Sequence, residues 1–130
     1  MRLLTIIALL TLPLGLLQAG EIVIDDFEYA DDVAAQAAWR PDQGSPPVKV
    51  MDHDGGKALR MDCPFTQEVE RSVYDRAVNL NLSQVGQFTL DYYVDDVKPL
   101  RGFSLYFRSG EGWYGAVFNG EKGWNEITLL

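Results

Sequence analysis

The chain has 130 residues, enough for one domain, and its 47% hydrophobic and 23% charged residues exclude wholesale disorder. Its 19 acidic residues outnumber 11 basic ones, a net charge of -8, which argues against a nucleic-acid partner because phosphate binding needs a basic surface. One cysteine, Cys63, and one histidine, His53, exclude an intrachain disulfide, a cysteine-rich zinc site and any site needing two histidines.

Arg2 gives a positive start, residues 3–17 form an apolar run, and Gln18-Ala19-Gly20 offers a small residue for cleavage. This layout predicts a signal peptide over 1–19, cut after Ala19, and hence a secreted, periplasmic or extracellular protein. The alternative is an uncleaved membrane anchor. Pro13 and Gly15 count against it, and the run is short for a full span. No membrane span is expected once the signal is removed, and residues 20–130 read as a single domain.

From Glu21 onward the hydrophobic pattern has a period of two rather than 3.6. Strands are predicted at 21–25, 48–51, 58–65, 69–82, 88–95, 102–108, 112–118 and 124–130, the long 69–82 run with a bulge or bend. Between the first two strands, Asp31 or Asp32 serves as N-cap of a short alanine-rich helix over 33–39. Residues 40–47, rich in proline, form a loop. In the third strand Cys63 alternates in phase with Leu59, Met61 and Phe65 and reads as a small buried hydrophobe. Asp54-Gly55-Gly56, Ser109-Gly110-Glu111-Gly112 and Asn119-Gly120-Glu121-Lys122-Gly123 suit tight hairpin loops. Many short antiparallel strands with Gly-rich turns mean a sandwich or barrel. The final strand runs apolar to Leu130 with no closing strand, so the chain is expected to be the N-terminal part of a longer protein.

Several stretches acquire meaning together: Asp25-Asp26-Phe27-Glu28, then Trp39, then Gly55-Gly56-Lys57-Ala58-Leu59-Arg60-Met61-Asp62. Leu80-Asn81-Leu82-Ser83, Ser104-Leu105-Tyr106-Phe107 and Gly123-Trp124-Asn125-Glu126-Ile127 complete the set. Their order resembles the galactose-binding-like jelly-roll domains, the β-sandwich class that includes many carbohydrate-binding modules, over essentially all of 21–130. The resemblance implies an all-β, antiparallel β-sandwich of jelly-roll type, truncated at its C-terminus. It implies an accessory domain of a secreted polysaccharide-acting protein, carrying no catalytic residues of its own. It also implies a structural calcium ion near the first strand. Glu28 matches the acidic position of that site, and the loop from Asp54 to Lys57 matches the carbonyl position. The last-strand ligand has no counterpart here.

Calcium takes six to eight oxygen ligands, carboxylates mixed with carbonyls. Asp25, Asp26 and Glu28 are the candidate carboxylates, with backbone carbonyls from Asp54 to Lys57. The competing reading makes Asp25 and Asp26 turn residues and Asp54-Gly55-Gly56 a plain hairpin. Asp52-His53-Asp54 is not read as a transition-metal site, because a strand alternates its side chains.

Sugar binding needs an aromatic face for the apolar side of a pyranose ring and planar polar groups for its hydroxyls. Opposite the core phase the sequence offers Asp91 and Tyr93 on one strand, Tyr106 and Arg108 on the next, and Trp113 beyond the turn. If those strands are neighbours, the five form one patch for a polysaccharide or oligosaccharide. The competing reading is a structural sandwich whose outward aromatics pack against a neighbouring domain or a surface partner. Catalysis is not expected. The adjacent pairs Asp25/Asp26, Asp31/Asp32 and Asp95/Asp96 point apart on extended chain, and no nucleophile elbow or phosphate loop is present.

Overall fold

The structure is a computed structural model and describes residues 20–130. The expected signal peptide over 1–19 lies outside the described residues. Among the described residues no helix is long and apolar enough to cross a membrane.

One short helix precedes eight strands. Helix α1 (Asp32–Ala38) is capped by Asp31, whose extended backbone leaves its carboxylate to accept from the Ala34 amide at 2.9 Å. Asp32 adds negative charge to the first turn, where the helix dipole favours it. Pro41 ends the helix from two residues away, because Arg40 before it is pushed out of the α region. Ala35 faces inward and is fully buried, and Gln36 Nε2 donates to the Val48 carbonyl at 2.9 Å.

Strands β1 (Trp39–Asp42) and β4 (Val73–Arg76) pair antiparallel. Between them lies the hairpin of β2 (Lys49–His53) and β3 (Gly56–Arg60). Asp54 and Gly55 turn that hairpin with φ of 45° and 81°, the two left-handed residues a type I′ turn requires. The second half repeats the nesting. β5 (Phe88–Val94) pairs with β8 (Gly123–Leu129), enclosing in sequence the hairpin of β6 (Phe103–Ser109) and β7 (Gly112–Phe118). The fold is all-β and antiparallel, built of two-stranded ribbons.

The β5/β8 and β6/β7 ribbons pack face to face. Phe88 stacks on Phe107 with ring centroids 4.3 Å apart, and Tyr92 meets both Phe103 and Phe118 at 5.3 Å. Inward and outward residues alternate along β5 and β6 as the sequence predicts, with Phe88, Leu90, Tyr92, Phe103, Leu105 and Phe107 inward.

Five expectations are corrected. Residues 21–25 form no strand: Asp25 and the Ile24 carbonyl bond to side chains instead of a ladder. The third strand stops at Arg60, so Cys63 sits half-buried outside it, and Phe65 is exposed with a φ of 47°. Ser72 Oγ and Tyr74 OH both donate to the Asp62 carbonyl, taking up an acceptor a longer strand would use. Only Val73–Arg76 of the 69–82 run is strand, and Arg40 to Asp42 of the expected loop belong to β1. Finally, Asn119–Gly123 is not a hairpin loop. It carries the chain from β7 across to the facing ribbon. Tyr92 OH donates to the Asn119 carbonyl at 3.0 Å, and Asn125 bonds three backbone groups of Glu121 and Gly123.

Candidate functional site

The acidic stretch after the expected first strand has a structural task. The Asp25 carboxylate is 5% exposed and accepts from the Phe27 amide, Tyr29 OH, Trp39 Nε1 and Arg76 Nη1 at 2.6–2.8 Å. Arg76 also donates to the Ile24 carbonyl at 2.5 Å and lies over the Trp39 ring, 6.0 Å from its centroid. The cation beside Asp25 is therefore a guanidinium. Burial, followed by the hydrogen bond to Asp25, pushes the Tyr29 phenol above its usual range, and burial does the same for Tyr74. Both hold their protons more tightly folded than unfolded, so stability is expected to fall as pH rises through about 10 toward the folded values. Melting curves from about pH 9 to about pH 11 check this, with Tyr29→Phe and Tyr74→Phe expected to flatten the decline.

The structure brings Glu28 beside Lys57. Glu28 Oε1 accepts from the Lys57 amide at 2.9 Å, so an N–H faces it rather than a carbonyl. Asp26 accepts from the Glu28 amide at 3.1 Å, and the Lys57 ammonium pairs with Asp52 at 2.5 Å. Among the described residues no three His, Cys, Asp or Glu side chains converge on one point. Melting in millimolar calcium and in chelator is expected to coincide. A calcium-dependent rise of several degrees would show that Lys57 turns its carbonyl to an ion.

The five residues expected to form one sugar patch are divided. Because β5 pairs with β8 and faces β6 across the core, the outward sides of β5 and β6 lie on opposite faces of the sandwich. Asp91 and Tyr93 are on one face; Tyr106, Arg108 and Trp113 are on the other.

On the β5/β8 face, Tyr93 pairs in register with Trp124, and Asp91 with Glu126. Tyr93 and Trp124 are 53% and 49% exposed, their ring centroids 5.6 Å apart and their planes tilted by 59°. His53, from the end of β2, stacks on Trp124 at 4.2 Å and fixes the indole from one side. Asp91 and Glu126 are both exposed, and neither has an ion-pair partner among the described residues. Like charges directly opposite in an antiparallel ladder destabilise it. Trp124, Glu126 and His53 are the members that sequence reasoning missed. The register that pairs Trp124 with Tyr93 would have revealed two of them.

On the β6/β7 face, Arg108 pairs with Trp113, and its guanidinium lies 5.2 Å from the indole centroid. Tyr106 lies across Gly115, so close that a Cβ there would collide with its Cδ1 and meet the Leu105 carbonyl at 2.7 Å. Comparison with protein-family models, with curated proteins and with solved structures finds no match to this chain.

Proposed function

We propose that this is a non-catalytic carbohydrate-binding domain of the galactose-binding-like jelly-roll kind, an accessory part of a secreted glycan-acting protein. Its primary site is the β5/β8 face. The observation that carries the reading is the in-register Tyr93–Trp124 pair beside the unpaired carboxylates Asp91 and Glu126. A pyranose places its C–H face against Tyr93 and Trp124, while the two carboxylates accept hydrogen bonds from its hydroxyls. A like-charge pair that costs the ladder stability is the kind of local rule a functional site breaks.

The site binds and does not cleave. Asp91 and Glu126 project from one exposed ladder face, whereas glycosidic cleavage needs two carboxyls on either side of the scissile bond.

Neutralising Asp91 separates function from structure. Asp91→Asn is expected to raise stability by about 0.2–1 kcal/mol, because the like-charge contact with Glu126 is relieved. The same change is expected to weaken oligosaccharide binding by roughly tenfold, a charge-assisted hydrogen bond being lost. Urea melts and calorimetric titration of one preparation read both. A variant more stable and equally tight in binding would leave the carboxylates without a role in binding.

A second reading has its own observation. An apolar cleft of about 120 Å³ opens between the ribbons, lined by Phe88, Leu105, Phe107, Tyr114 and Leu129 among others. It favours a structural sandwich that packs against a neighbouring domain and takes no sugar.

A further inference from the structure

The two outward faces of the sandwich carry opposite charge. The β5/β8 face presents Asp91 and Glu126 with no basic residue in its ladder. The β6/β7 face presents Ser104, Tyr106, Arg108, Trp113, Gly115 and Val117, so its one charge is the Arg108 guanidinium. Among the described residues, Arg60 and Arg76 pair with carboxylates, while Arg40, Arg71 and Arg101 have no carboxylate partner. Arg108 has no such partner among the described residues. It rests instead on Trp113.

That resting place matters chemically. Stacking against an indole holds a guanidinium in position through its flat face and leaves the N–H edge unspent. The same edge matches a carboxylate with two parallel hydrogen bonds. Tyr106 completes the platform. It is 55% exposed, set edge-on to Trp113 with centroids 6.3 Å apart, and seated over Gly115, the residue without a side chain that its ring requires. Trp113 itself is 63% exposed. An aromatic platform beside a fixed, unpaired cation is complementary to a sugar ring that carries a carboxylate.

We infer that the β6/β7 face is a second glycan site, distinct from the first, and that it takes uronic-acid residues of an acidic polysaccharide. The uronate carboxylate docks on the Arg108 N–H edge while its ring lies against Tyr106 and Trp113. The overall negative charge of the protein repels polyanions, so the contact depends on this one cation. The inference stands independently of the neutral-sugar site, since the two faces share no residue.

The test uses the full chain and three hexameric probes, oligogalacturonate, oligomannuronate and oligoglucuronate, with methyl-esterified oligogalacturonate as the uncharged control. At least one acid probe is expected to bind saturably, and if it is the galacturonate, its ester is expected to bind about tenfold more weakly. Arg108→Gln is expected to weaken the acid probe by about tenfold or more, and Arg108→Lys to restore only part of that, a point charge lacking the planar fork. Tyr93→Ala and Trp124→Ala leave uronate binding unchanged, which keeps this inference separable from the first site. Failure of all three acid probes with the folded chain overturns it. So does equal binding by Arg108→Gln, or loss of uronate binding with Trp124→Ala.

Discussion

Replacing Arg76 with alanine is expected to lower the melting temperature by about 10–20 °C, the largest effect of any single substitution outside the apolar core. Arg76 is three-quarters covered, and its partner Asp25 is 5% exposed. Removing the guanidinium leaves a buried carboxylate with only neutral donors, from Phe27, Tyr29 and Trp39. Breaking a buried pair from one side costs about 3–5 kcal/mol, chiefly because the remaining charge stays desolvated. The same change frees the Ile24 carbonyl and uncovers the Trp39 ring. Removing both charges is expected to be milder than the sum of the single changes, so Asp25→Asn with Arg76→Met recovers part of the loss. A fall of only a few degrees for Arg76→Ala would mean that the segment before α1 is held by something else.

The second large effect is on binding. Trp124→Ala and Tyr93→Ala are each expected to weaken oligosaccharide binding by about 30-fold or more, as central aromatic anchors do when truncated. Trp124 contributes more than its own ring. It holds His53 at 4.2 Å and so ties the β2/β3 hairpin to the face that receives the sugar. Trp124→Phe keeps an aromatic surface and is expected to retain most of the affinity. Trp113→Ala, on the opposite face, is expected to leave neutral-sugar binding intact.

Much of the second half of the fold is legible in the sequence. Phe88, Leu90 and Tyr92 alternate with Thr89, Asp91 and Tyr93, and that period alone assigns each residue to the inner or outer side of its strand. Asp54-Gly55 declares its turn because few residues accept two consecutive left-handed conformations. The partner of each strand is a different matter. A period of two says which side chains share a face but not which strand lies alongside. A single patch needs the 88–95 and 102–108 strands side by side, which would join Tyr93 and Tyr106 on one surface. The ribbons instead nest, β8 returning to β5, and that crossing divides the patch while bringing Trp124 and Glu126 beside Tyr93 and Asp91.

The first half is harder to read for a physical reason. Its β-branched run at 21–25 looks like a strand, yet Asp25 within it gathers three side-chain donors, and satisfied side chains replace the ladder. Arg76, 51 residues further along the chain, supplies the positive charge that the local sequence does not show.

The most direct measurement is calorimetric titration of the folded chain with a panel of neutral oligosaccharides, alongside Trp124→Ala and Tyr93→Ala. The proposed function predicts saturable binding to at least one of them, lost in both variants while their melting curves stay close to that of the parent. No saturable binding across a wide panel, or binding that both variants retain in full, would contradict it.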